Sequence, residues 1–224
     1  MEKTTFDFGF GPVPAHQHAN GGGWVADSAR VADTAFVGQQ ARVYGEAQVY
    51  GEAQVCDKAQ VCDKARVCDK AWVFGEAWVC DKARVYGEAR VCGEARVYGN
   101  AQVFGEAQVF GEARVYGEAQ VYGEAQVCGE ARVYGEAQVY GEAQVCGEAR
   151  VTTTPLMISG LEYTITVCDN QVQIGCKTVP DTTQLSADMF PEAVCPVLRA
   201  YAHTLIPLIR EHYTRAAQVE VSRD

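Results

Sequence analysis

No histidine falls between Val25 and Val151, and no apolar run in the 224 residues approaches the 18 that a membrane-spanning helix needs. The first absence removes the side chain that titrates nearest neutral pH, the usual general base, from more than half of the chain. The second excludes a helical membrane anchor, and no membrane partner is expected. Positive charge is also scarce: 19 Lys and Arg stand against 29 Asp and Glu, for a net charge of −10. Residues 25–151 hold 13 basic and 19 acidic side chains, so neither this stretch nor its flanks is basic. A nucleic-acid binder needs a clustered cationic face to neutralise phosphates, so no nucleic-acid partner is expected either. Met1-Glu2-Lys3-Thr4-Thr5 lacks a basic segment followed by a hydrophobic core, which argues against a signal peptide and for a cytoplasmic location. The ten cysteines, in a chain neither short nor visibly secreted, read as reduced thiols.

What the chain has in abundance is a beat. Valine returns every sixth residue from Val25 to Val151, and alanine keeps the same period from Ala29 to Ala149. A typical unit is Ala47-Gln48-Val49-Tyr50-Gly51-Glu52. Six fits neither a 3.6-residue helix nor a simple hairpin, so the repeat is itself the structural unit. Within it, Ala and Val alternate with Gln or Arg and then Tyr, Phe or Cys, which is a short strand of period two. The last two positions are Gly-Glu in most units and Asp-Lys at 57–58, 63–64, 69–70 and 81–82. Glycine accepts positive φ freely, and Asp tolerates it better than most residues. Each unit is thus a strand plus a corner. So short a corner cannot close a hairpin, so the chain coils and pairs in parallel about 4.8 Å above itself. That is a solenoid.

The pattern Val-x-Gly-Glu-Ala-x, with an aliphatic residue and a small one four later as in Val49 and Ala53, resembles the hexapeptide repeat of the trimeric LpxA-like acyltransferase superfamily. The resemblance implies a left-handed parallel β-helix with three units per coil, against the usual right-handed crossover. With three units to a coil, residues 25–151 make about seven coils, a prism roughly 33 Å tall. The fold class expected is therefore an all-β solenoid with a small C-terminal α+β cap. Its parts are an N-terminal cap or loop at 1–24, the repeat at 25–151 and the cap at 152–224.

Reading the outside one coil at a time sorts it into three faces. The first carries Arg96, Arg114, Arg132 and Arg150 beside Tyr98, Tyr116 and Tyr134, the candidate binding residues. This ladder either docks an anionic ligand or acidic partner, or is neutralised by the glutamate corners. The third face carries Phe74, Cys92, Phe110, Cys128 and Cys146, the candidate contact with another subunit. Outward aromatic columns on this scale either stack along the prism or pack against a second copy. Cys62 over Cys80 and Cys128 over Cys146 are within disulfide reach if stacked, although stacked small side chains are the simpler reading. No metal site is expected from consecutive cysteines such as Cys56, Cys62 and Cys68, which point from three different faces.

The flanks read differently. Phe6, Phe8, Phe10, Pro12, Pro14 and Gly21-Gly22-Gly23 predict irregular structure whose aromatics cover the open first edge of the repeat. His16 and His18 point the same way if the chain is extended, and are either a weak catalytic or ligand pair or two solvated loop residues. After Val151, residues 161–168 and 171–178 alternate around Asp169-Asn170 as a hairpin, and a polar turn follows at 180–183. Residues 196–206 then predict an amphipathic helix that Pro207 kinks before 208–215. Ile158-Ser159-Gly160-Leu161 and Gln173-Ile174-Gly175-Cys176 resemble the tails of phage and prophage hexapeptide-repeat proteins, a likeness that implies no activity.

Enzymes of the resembled superfamily place a histidine base in a cleft between adjacent prisms and bind the acyl donor with loops that interrupt the coils. Here residues 25–151 carry neither histidine nor interruption, and His16, His18, His203 and His212 all lie at the ends. The same lack removes the three-histidine zinc site of the carbonic anhydrase relatives. The function expected is a non-catalytic structural or interaction scaffold without a cofactor. Its partner is itself, as a homo-oligomer of which a trimer is one form, or another protein. The alternative is an acyltransferase using an acyl-CoA-type donor.

Overall fold

Two inward residues per unit leave little room for regular strand, and the ladder indeed holds only two residues of each unit. The computed structural model describes residues 4–158, 164–169, 171–174, 177–179 and 206–211. Strands β1 (Thr5–Asp7), β2 (Pro12–Gln17) and β3 (Trp24–Ala26) are followed by two-residue strands every sixth residue, from Arg30–Val31 to Arg150–Val151. These join into three sheets of ten, seven and seven strands, in which each repeat strand pairs in parallel with the third strand after it. The register never slips: Val79 lies against Val97, and Val97 against Val115. Three units therefore complete one coil, and about seven coils stack into a β-solenoid.

The corners turn at positive φ, near 72° at Gly117 and at 55°, 56°, 63° and 58° at Asp57, Asp63, Asp69 and Asp81. The carboxylates offset this strain by reaching up one coil. Asp57 accepts from the Gly75 amide at 3.1 Å, and Asp69 and Asp81 accept from Gly87 and Gly99 at 3.0 Å. Inside, every valine and alanine of the beat from Ala35 to Val151 is at most 1 % exposed. Each buried valine contributes roughly 1.5–3 kcal/mol before the entropy of ordering the chain is subtracted.

Both ends of the core are covered by other means. The irregular structure expected for 1–24 gives way to strand: β1 and β2 pair antiparallel, and β2 pairs antiparallel with β3 along the lower edge of the first face. The prolines are compatible with this because Pro12 opens its strand and Pro14 uses only its carbonyl, which accepts from Asp27 N–H at 2.9 Å. Backbone pairing thus covers the edge, while the aromatics pack on its outer side, Phe6 stacked on Trp24 at 4.5 Å and Phe8 against Tyr44 at 5.1 Å. The loop at 18–23 underlies the third face. Asn20 Nδ2 donates to Ala35 O, and Gly23 N–H to Val37 O, at 3.0 and 2.9 Å. A Cβ on Gly23 would meet Gly38 O at 2.3 Å, so only glycine lets the loop approach this closely.

At the upper end, the two-stranded hairpin expected from alternation is part of a four-stranded antiparallel sheet: Leu156–Ile158, Ile165–Val167, Val172–Ile174 and Lys177–Val179. The second expected strand, 171–178, falls into two, Val172–Ile174 and Lys177–Val179, which pair antiparallel with each other. Cys168 enters the main core, and burial pushes its thiol up to about 12. Polar side chains of this sheet satisfy the last coil: Thr166 Oγ1 accepts from Gln144 N–H at 3.1 Å, and Gln171 donates to Cys146 O at 2.6 Å. Asp169 accepts from the amide and hydroxyl of Thr152 at 2.5 and 2.6 Å. Of the C-terminal helix, Ile206–Glu211 is helical and Pro207 lies within it. The rest of that expected helix, the turn at 180–183, His203 and His212 lie outside the described residues. Among the described residues no helix is long and apolar enough to cross a membrane.

Val97 sits mid-stack at 0 % exposure, so Val97→Asp would bury a carboxylate with no partner. We expect it to cost at least about 3 kcal/mol and to lower the thermal midpoint sharply, whereas Val97→Ile should fold. A V97D melt that matched the parent would contradict the placement of the core.

Candidate functional site

Because each residue lies over its counterpart in the next coil, outward side chains form ladders with the spacing of the coils. Tyr98, Tyr116 and Tyr134 stack with centroids 4.9 and 5.0 Å apart, and Tyr86, Phe104, Tyr122 and Tyr140 do so at 4.9, 4.9 and 5.5 Å. The strand spacing of about 4.7–4.9 Å falls within the range that aromatic pairs prefer, so these rings shield one another without a second chain. On the third face Trp72 meets Phe74 edge-on at 6.3 Å and remains 42 % exposed.

The arginines line up as expected, with Arg96 beside Arg114, Arg114 beside Arg132 and Arg132 beside Arg150. Their neutralisation by glutamate corners is not among the contacts seen for Arg96, Arg114 and Arg132. The ion pairs at the corners use lysine instead: Lys58 with Glu76 at 2.7 Å, Lys70 with Glu88 at 3.6 Å and Lys64 with Glu46 at 3.8 Å. All are exposed and individually weak. Arginine meets rings: Arg42 lies over Phe6 and Arg90 over Trp72 at 5.5 Å, and Arg96 over Trp78 at 5.8 Å. A groove of about 230 Å³ brings together Arg96, Tyr98 and Arg114 with Trp78 and Cys80. Tyr116, Arg132, Tyr134 and Arg150 continue the same columns above it. A larger groove, about 470 Å³, lies lower on this face between Phe6, Trp24, Arg42, Lys58 and Gln60.

Cysteine departs most from expectation. Cys128 and Cys146 are joined by a disulfide, with Cα atoms 4.5 Å apart. This corrects the reading of that pair as reduced, stacked thiols. Parallel in-register stacking by itself brings the two residues to bonding range. Cys62 and Cys80 share the same register but remain free. Cys62 is buried, and its Sγ accepts the Trp78 indole N–H at 3.0 Å, while Asp63 Oδ2 lies 3.5 Å away. A hydrogen bond from Cys80 does most to hold the Cys62 thiol below its ordinary pKa; Trp78 and Tyr44 add to this, and burial opposes it. The shared hydrogen bond with Cys62 pushes Cys80 the other way. Reading the cysteines along the chain misses this group. Its signal is a cysteine followed by aspartate, with a second cysteine at the same place three units on.

The two N-terminal histidines take different partners. His18 is 6 % exposed, and its Nδ1 lies 3.1 Å from Asn20 O and 3.3 Å from Asn20 N, so it shapes the basal loop. His16 is exposed and its Nδ1 lies 3.0 Å from Asp27 Oδ1. A carboxylate there fixes the proton on Nδ1 and leaves Nε2 of the neutral ring as a free acceptor.

Three stretches, 89–105, 107–123 and 125–141, match the YdcK beta solenoid repeat. The chain is similar to that repeat over these coils. Each match spans almost one coil, and together they cover about a quarter of the chain. The likeness supports the solenoid and brings no activity with it. No curated protein matches the chain.

Two substitutions read this surface. Tyr116→Ala removes the ring stacked between Tyr98 and Tyr134 and should cost about 1–3 kcal/mol, more than the same change at Tyr98, which stacks on the Tyr116 ring alone. Cys128→Ser opens the loop between the stacked cysteines, whose sequence separation is 18, and should lower stability by up to about 3 kcal/mol. Thermal melts with and without reductant check both, since reduction should lower the parent toward C128S and leave C128S unmoved.

Proposed function

We propose that this protein is a non-catalytic scaffold, a rigid solenoid that displays in-register side chains to a partner. The observation that carries this reading is the arginine–tyrosine face. There Arg96, Arg114, Arg132 and Arg150 repeat at the coil spacing beside the stacked rings of Tyr98, Tyr116 and Tyr134. Stacking orders the rings before any partner arrives, which lowers the entropy lost on binding. Guanidinium groups at that spacing suit an acidic partner with repeated carboxylates or phosphates. The third face, with Phe74, Cys92, Phe110 and the exposed Trp72, serves in this reading as a contact between copies of the chain. Light scattering tests that contact. A monomer at all concentrations removes it, and loss of an oligomer in W72A supports it.

One observation favours a second reading, acyl transfer. His16, hydrogen-bonded to Asp27 and exposed, has the arrangement of an oriented general base. Titration with acetyl-CoA, followed by thermal shift and thioester release, separates the two. The scaffold reading expects no turnover, and any shift caused by the anionic donor to vanish in an Arg96→Ala/Arg114→Ala double variant. Turnover that is lost in His16→Ala and kept in the arginine variant would establish the enzyme instead.

A further inference from the structure

Repetition makes most of this surface uniform, so a cluster that occurs at one level only stands out. Cys56 and Cys68 are each followed by aspartate, but the residues one coil above them are Phe74 and Tyr86. Cys128 and Cys146 are stacked, but their corners are Gly129 and Gly147, and they are joined to each other. Only Cys62 and Cys80 combine a cysteine stacked on a cysteine with aspartate corners, Asp63 after the first and Asp81 after the second. One Sγ from each cysteine and a carboxylate oxygen of Asp63 all lie within 4.8 Å of one another.

We propose that Cys62, Cys80 and Asp63 form a binding site for one divalent cation of the zinc class, held by two thiolates and a carboxylate with a fourth position open to water. Zinc takes sulfur at about 2.3 Å and carboxylate oxygen at about 2.0–2.2 Å in tetrahedral sites, which puts ligand atoms within ~4 Å of each other. Closing from the observed arrangement to that geometry takes side-chain movements of about 1 Å. The backbone already stacks the equivalent Cys128 and Cys146 with Cα atoms 4.5 Å apart.

Two further features fit a metal ligand set better than a chance cluster. Asp57, Asp69 and Asp81 hold the next corner's amide at 3.1, 3.0 and 3.0 Å, and Asp69 also accepts from the Cys68 thiol at 3.8 Å. Asp63 holds the next corner's amide only at 3.5 Å and divides itself between that amide and the Cys62 thiol, also at 3.5 Å. Of these four aspartates it makes the longest bond to the backbone. The Cys62 sulfur, in turn, is oriented by the Trp78 N–H under a cover of Tyr44, itself packed by Phe8 and Phe10. Hydrogen bonds of this kind fix a thiolate ligand's direction and tune its basicity. On binding, each thiol would release its proton to solvent as its metal–sulfur bond forms. Two thiolates and a carboxylate leave the filled site one negative charge, beside a groove that Asp63 shares with Lys64, Lys82 and Asp81.

The test uses the full chain, kept reduced with a phosphine and titrated with Co²⁺, whose thiolate complexes absorb through sulfur-to-metal charge transfer. One equivalent should bind with an intense near-ultraviolet band, and Zn²⁺ should displace it. Cys80→Ser should abolish the band, and Asp63→Asn should weaken binding at least about tenfold. A Cys128→Ser/Cys146→Ser double variant should bind as the parent does. Cys80 is half-buried, so C80S carries the test if the buried C62S fails to fold, and a melt of each variant without metal confirms that it is folded. Absence of the band in the parent, its survival in C80S, or its loss in the Cys128/Cys146 variant would overturn the site.

Discussion

The ladder of parallel hydrogen bonds between coils is the constraint on which everything else rests. Tyr98 N–H reaches Val115 O at 3.0 Å and Arg96 N–H reaches Ala113 O at 2.9 Å, and the same step recurs coil after coil. Because the step is always one full turn, each side chain is placed over its counterpart in the next coil. Similar units therefore become like-on-like contacts. For valine, alanine and tyrosine this is favourable, giving a continuous core and stacked rings. For charge it is not. The early coils interleave lysine among the glutamates, and three arginines turn to aromatic rings. In later coils glutamate lies over glutamate at exposed corners, where solvent and salt screen the repulsion.

A ladder that adds one coil after another has no natural end, and its last strands would offer unpaired backbone to any other chain. The flanks resolve this at each end by different chemistry. Below, β2 supplies antiparallel backbone to the first face, and a glycine loop supplies it to the third. Above, side chains take most of that role, with Asp169, Gln171 and Thr166 meeting the amides and carbonyls of the last coil, while the Asp169 amide donates to Arg150 O at 3.0 Å. Arg30–Val31 closes the second face below with no strand beyond it among the described residues, and Val31 is only partly buried there.

The coil is legible in the sequence because its period, its inward pair and its corner residue each have one physical solution. Val every sixth residue, Ala two before it and Gly or Asp at positive φ leave little but a stacked coil. The caps are less legible. Pro12, Pro14 and the glycines at 21–23 carry loop-like composition, yet form a strand and a tight underlay, because an open edge outweighs local preference. The cysteines show a different limit. Cys62 with Cys80 and Cys128 with Cys146 have identical spacing, yet one pair is bonded and the other is not. Spacing predicts that the sulfurs approach. What surrounds them, Trp78, Tyr44 and Asp63 in one case and glycine corners in the other, is visible only once the coils are stacked.

In a molecule of this kind, chemistry has to come from departures from the beat. A column of identical side chains presents a gradual surface, suited to a repetitive partner and poorly suited to gripping a single atom from several directions. Gripping requires different groups at neighbouring levels. The chain supplies such differences in few places: the tryptophans at 72 and 78, the aspartate corners, and the entry strand that brings His16 to Asp27. The Cys62, Asp63 and Cys80 group lies where two of these coincide, under Trp78 and at an aspartate corner. Its ligands come from two adjacent coils, so a bound ion would tie those coils together as the Cys128–Cys146 bond ties two others. The same register that makes the surface repetitive thus also sets the geometry wherever the repetition is broken.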